Sequence, residues 1–122
     1  MTPAYHVIIA DDDDGIRAVI ARIVVHTYPS VTISAVSDGL DVILIYEQRG
    51  ADLVITNNHM PVLSGLSLIE QLRIRSATLP IVMISADGTI ERRALALGAS
   101  RFLGKPFALA QLVQMLTSIL PP

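Results

Sequence analysis

Apolar residues recur along this chain in two alternating patterns: short continuous runs, and longer stretches in which they return every three or four positions. The runs, each carrying Val, Ile or Leu, cover residues 6–10, 31–36, 52–56, 80–85 and 101–103 and predict strands. The periodic stretches lie between and after them, over 16–26, 40–48, 66–75, 90–97 and 109–120, and predict helices. The first helix sets Ile16, Val19, Ile20, Ile23 and Val24 in one stripe, and the last does so with Leu109, Leu112, Val113, Leu116, Ile119 and Leu120, so both are expected to pack on a sheet. Gly39, Gly50, Gly65 and Gly98, with Pro29, Pro61, Pro80 and Pro106, fall between elements or at their edges, where they serve as turn and cap residues. Ser64 and Gly65 read as a turn and cap before the third helix.

Five strand–helix units at this length imply a parallel sheet with helices on both faces, because parallel strands need long crossovers of one hand. The expected fold class is α/β, a doubly wound five-stranded parallel sheet, with residues 1–122 forming one domain without linker or repeat. In such sheets ligands bind beyond the carboxyl ends of the strands. The residues placed there are Asp11, Asp12, Asn57, Ser85 and Lys105.

Composition narrows the function classes. An apolar content of 52% with a net charge of −2 excludes a disordered chain. Arg17, Arg22, Glu47 and Asp52 interrupt the longer apolar stretches, so no run reaches the roughly eighteen residues of a membrane span. The N-terminal MTPAYHVIIADDDD lacks a basic segment and meets four aspartates where a secretory cleavage site would stand, so the chain is expected to be cytoplasmic. The absence of cysteine removes disulfides, thiol nucleophiles and cysteine-held metals. No basic cluster exceeds Arg92 and Arg93, which argues against a nucleic-acid partner. Lys105 is the only lysine among nine basic residues; a flexible ammonium wanted at a strand end and chance both account for it. The run Asp11 to Asp14 likewise has two readings, a solvated helix start favoured by the dipole or part of a hard-cation site.

Adjacent carboxylates, a carboxamide, a hydroxyl and an ammonium at strand ends suit a magnesium ion and phosphoryl oxygens. With IIADDDDGIR after the first strand, DLVITNNHMPVLSG around the third, IVMISA at the fourth and GASRFLGKPF at the fifth, the whole chain resembles the receiver domain of two-component response regulators. The resemblance implies a flavodoxin-like sheet of strand order 2-1-3-4-5. It assigns Asp11 and Asp12, with the backbone carbonyl of His59, to a Mg2+ site, Ser85 and Lys105 to the phosphate pocket, and Phe102 to an aromatic switch. For Phe102 a plain core role has equal weight. The Lys105–Pro106 bond resembles the family's cis peptide, aiming the lysine into the crevice.

One position departs from that family. The phosphoacceptor stands four residues before the proline of the MP pair, and here that residue is Asn57. An amide has no carboxylate to attack phosphorus, so the chain reads as a pseudo-receiver that forms no aspartyl phosphate and acts through protein contacts. One negative charge fewer also weakens any Mg2+ site. Natural loss and an engineered Asp-to-Asn exchange that traps an inactive form both produce this sequence. A substitute acceptor role for His59 is disfavoured against simple solvation, and His6 and His26 have no metal-ligand spacing.

The string IIADDDDG also matches haloacid dehalogenase-type phosphatases, with Asp12 as nucleophile, Asp14 as acid, and Ser85 and Lys105 as later site residues. No acidic pair follows to complete that metal site, and the MP and KPF motifs go unexplained. A third reading keeps the switch and gives the incomplete pocket an unnamed small ligand. The favoured reading is a non-catalytic interaction module whose partners are a sensor kinase or an output domain, with no membrane contact. The resemblance points to a homodimer or partner face on helix four, strand five and helix five, including Arg92, Arg93, Arg101 and Phe102. Leu40 and Leu44 are a second candidate surface: they lie off the stripe of Val42, Ile43, Ile45 and Tyr46, and exposure or burial is open for them.

Overall fold

A computed structural model describes residues 4–122; the first three positions of the N-terminal segment read above lie outside the described residues. The order is β1 (His6–Ala10), α1 (Asp14–Thr27), β2 (Thr32–Val36), α2 (Gly39–Arg49), β3 (Leu53–Thr56), α3 (Gly65–Arg75), β4 (Ile81–Ser85), a 3-10 turn (Gly88–Ile90), α4 (Glu91–Leu97), β5 (Arg101–Gly104) and α5 (Leu109–Ile119). The strands form one parallel sheet of order β2-β1-β3-β4-β5, the expected doubly wound, flavodoxin-like arrangement. β3 and β4 are buried throughout and β1 nearly so, which is why they read as unbroken apolar runs. The edge strands β2 and β5 are mixed.

Side chains alternate across the sheet and divide the core in two. Val7, Ile9, Leu53, Ile55, Val82 and Ile84 point into one layer with Ile20, Ile23 and Val24 of α1 and Leu112 and Leu116 of α5. Ile8, Ala10, Val54, Ile81 and Met83 point the other way, onto Val42 and Ile43 of α2, Leu68, Ile69 and Leu72 of α3, and Ala94 of α4.

The boundaries differ from the sequence reading where a local bond intervenes. Val31 is outside β2 because its N–H donates to Tyr28 in a turn, and Pro80 precedes β4 with no N–H to give. α1 and α2 start earlier than their apolar periodicity, because Asp13 and Asp38 cap them by accepting from Ile16 N and Asp41 N. Ser64 caps α3 as expected, accepting from Ser67 N. Two members of the expected stripes are solvent-facing: Val19 is 50% exposed and Leu109 58%. Leu40 and Leu44 are exposed as well, at 44% and 49%. No helix among the described residues is long and apolar enough to cross a membrane.

Candidate functional site

The carboxyl ends of β1, β3, β4 and β5 bring Asp11, Asn57, Ser85 and Lys105 to one edge of the sheet. Asn57 follows β3, and its N–H bonds Ala10 O at 3.1 Å, holding it beside the end of β1. Lys105 follows β5, its N–H bonded to Ser85 O at 2.9 Å, and the Lys105–Pro106 peptide is cis.

The aspartate run divides by role: Asp13 and Asp14 make the helix start, and Asp11 turns into the cluster at the strand ends. Asp11 is buried, with Oδ1 accepting from Asp13 N at 2.9 Å and Oδ2 from Lys105 Nζ at 3.1 Å. Asp12 is exposed at the rim. Asp13 is the α1 cap, and Asp14 lies in the first helical turn with an exposed side chain paired to Arg17. Arg17 also donates through Nη1 to the Asp11 carbonyl at 2.8 Å. The phosphatase-type reading needs Asp14 as an acid beside Asp12, and the ion pair to Arg17 on the helix surface engages it elsewhere.

Asn57 sits at the centre, 6% exposed. Its Nδ2 donates to Asp11 Oδ1 and to Asp12 Oδ1, each at 3.2 Å. Its Oδ1 is buried and has no protein hydrogen-bond donor among the described residues, where a buried acceptor left unpaired costs about 1–3 kcal/mol. Two carboxylates therefore face one ammonium and one neutral amide. A magnesium ion needs oxygen ligands, and here a nitrogen bearing protons stands between the acids. As arranged, these residues do not fit a divalent cation.

The remaining candidates are distributed around this centre. Ser85 is 3% exposed, and its Oγ accepts from Asp87 N at 3.0 Å. His59 is exposed in the loop after β3. Phe102 is half-buried and packs on the core layer beneath α3 and α4. A largely apolar groove of about 440 Å3 opens beside Lys105, lined by Ile16, Val19 and Phe107 among others.

Several contributors were missed in the sequence. Asn58 orients the acceptor loop, its Oδ1 accepting from Leu66 N at 3.1 Å and its carbonyl from Gly65 N at 2.9 Å. Thr56 Oγ1 donates to Asn57 O at 2.8 Å. Asp87 caps the turn before α4, and hydrogen bonds from the Thr89 hydroxyl and N–H hold its carboxyl below the usual range, with His59 adding to the effect. An Asn after a strand and an Asp before a Thr are weak local signals for such turns. Gly65 allows the closest approach: a Cβ there would lie 2.0 Å from Asn57 O, and one at Gly39 would lie 2.5 Å from Leu63 O. Between these contacts Val62 has φ 68° at the centre of a tight turn closed by Leu63 N to Pro61 O at 2.7 Å, a conformation strained for a β-branched residue.

Comparison with known proteins agrees with this architecture. Residues 7–117 match the family described as the response regulator receiver domain. The response regulator MprA of a Mycobacterium species is 28% identical over 116 residues, covering 93% of this chain and 50% of that protein. The chain thus spans about half the length of the curated relatives it matches. Among solved structures, the chemotaxis response regulator CheY4 of Vibrio cholerae superposes with a TM-score of 0.87 at 24% identity, over 97% of this chain and 100% of that one. The receiver domain of the sensor histidine kinase PA1611 of Pseudomonas aeruginosa, described with magnesium coordinated in its cleft, gives 0.84 at 21% identity, over 96% and 98%.

Proposed function

The chain belongs to the response regulator receiver domain family, and from that membership we propose that it is a two-component signalling module set by protein contact, with no aspartyl phosphate in its cycle. The carrying observation is Asn57, at the end of β3 with its amide bonded to both acids. Acyl phosphate formation needs a carboxylate oxygen with a free electron pair aimed at phosphorus; an amide nitrogen delocalises its pair into the carbonyl and here already spends both N–H groups on carboxylates. Ser85 and Lys105 remain at the strand ends as the residues of a phosphate pocket, with Lys105 directed to Asp11.

In this reading residues 1–122 form one non-catalytic, cytoplasmic domain, any Mg2+ held by Asp11, Asp12 and the His59 carbonyl is weak, and Phe102 reports the state of the pocket to the surface. The partners are a sensor kinase or an output domain. The face of α4, β5 and α5 carries exposed Arg92, Arg93 and Arg101 for a partner or a second copy. Leu40 and Leu44 offer an apolar alternative on α2.

The test is intact mass after incubation with a small-molecule phosphodonor and Mg2+, beside an Asn57→Asp variant. The expected result is no adduct on the natural chain and one phosphoryl group on the variant. An adduct on the natural chain would overturn the reading and move the acceptor to Asp12, Asp11 or His59. No adduct on either would leave a decayed pocket and a scaffold role.

A further inference from the structure

Asn57 does more in this pocket than fail to be a nucleophile. An asparagine can present its oxygen edge or its nitrogen edge. Turned oxygen-inward, Oδ1 would face Asp11 Oδ1 and Asp12 Oδ1, setting a third acceptor with no proton to give against two carboxylates, a repulsive contact. With nitrogen inward the amide's N–H groups reach both carboxylates, at 3.2 Å to Asp11 and 3.2 Å to Asp12. The outward edge shows the cost of that choice: Oδ1 is a buried acceptor without a protein donor among the described residues, in a side chain only 6% exposed. An acceptor is left bare where the hydrogen bonds donated from the other edge, here to charged groups, outweigh the loss.

A positive centre lying between clustered carboxylates is what a bound cation supplies. Lys105 serves the far oxygen of Asp11, at 3.1 Å from Oδ2, and Asp11 Oδ1 accepts from Asp13 N as well as from the amide, so the amide is the group that joins Asp11 to Asp12. We propose that the Asn57 carboxamide stands in for the divalent cation, tying Asp11 to Asp12 through its own N–H groups, so that the pocket is held in one state without metal and Mg2+ can enter only by displacing the amide. This rests on the reading of Asn57 as a permanent non-acceptor and adds that the domain's state is indifferent to Mg2+ as well as to phosphoryl donors.

The experiment is an Mg2+ titration of the natural chain, Asn57→Ala and Asn57→Asp, followed by melting temperature and by the side-chain amide resonances of Asn57 in the natural chain. Removing the amide clears the site without adding a ligand, so Asn57→Ala is expected to bind Mg2+ more tightly than the natural chain. Asn57→Asp is expected to bind at least about tenfold more tightly, through the added charge. The natural chain is expected to show no saturable change in melting temperature and no movement of its amide resonances. Weaker or equal binding by Asn57→Ala overturns the proposal, because Asn57 would then be a ligand or a bystander. If the variants do not fold, the natural chain decides alone: a saturable shift of the Asn57 amide resonances overturns the substitution, and unmoved resonances support it. A phosphoryl adduct on the natural chain would sink the signalling reading while leaving this result intact; a saturable Mg2+ shift without adduct would do the reverse.

Discussion

Replacing Tyr28 by phenylalanine removes a single oxygen from the base of the larger core layer, and its effect can be worked out in two independent ways. Tyr28 is 1% exposed, and its hydroxyl donates to Leu120 O at 2.7 Å. Its ring meets Tyr5 edge-on with centroids 5.4 Å apart, a contact phenylalanine keeps. The substitution loses one buried hydrogen bond and leaves a carbonyl unpaired, for about 1–2 kcal/mol at neutral pH, or a drop in melting temperature on the order of 4–8 °C for a chain of this size. The second leg is alkaline. Burial, with Tyr5 adding to it, raises the Tyr28 hydroxyl from 10.0 to about 12. Between those values the unfolded chain releases a proton that the folded one retains, so stability falls as pH rises, by about 2–3 kcal/mol across the window. Phenylalanine has no such leg. Urea denaturation from pH 7 to 11.5 should therefore show a deficit in Tyr28→Phe that is constant below pH 10 and closes near pH 11. A deficit that stays constant to pH 11, or none at pH 7, would refute the reasoning.

Two further substitutions probe the loop and the surface. Val62 is 77% exposed and held at φ 68°, so Val62→Gly should relieve strain at little packing cost and stabilise the fold by roughly 1 kcal/mol after the glycine's larger unfolded-state entropy; a loss of stability in chemical denaturation would contradict it. Leu40→Glu with Leu44→Lys places a favourable i, i+4 pair on α2 and should leave stability within about 0.5 kcal/mol, while weakening self-association or partner binding; unchanged sedimentation and unchanged partner affinity would remove this face from consideration.

The sequence carried the sheet clearly because its centre is buried on both faces, and three such strands leave unbroken runs of Val, Ile and Leu. It carried the helix starts poorly. Asp13 and Asp38 are polar and lie outside the apolar periodicity, although they decide where α1 and α2 begin. Val19 and Leu109 show the limit of stripe reading: helical spacing groups them with the core, but sheet and neighbouring helix cover only part of an apolar stripe. At the site, position alone brought Asp11, Asn57, Ser85 and Lys105 together, because topology fixes where strands end. That Asn57 would bond both acids and leave its oxygen bare was illegible, since it depends on the register of β1 against β3 and on a side-chain torsion. Arg17 on the Asp11 carbonyl and Asn58 on α3 were missed for the same reason, their partners being set by tertiary placement.

The two glycine contacts at Gly39 and Gly65 give the loop after β3 a mechanical character. At each, helix backbone rests directly on loop backbone, at Leu63 and at Asn57, with no side chain between them to compress. Such a joint leaves little room to compress, so a displacement of residues 57–63 requires a response from the first turns of α2 and α3. Coupling of this kind runs equally in both directions. A partner pressing on the first turn of α2, beside Leu40, would turn the train from its far end and reach Asn57 by way of the loop.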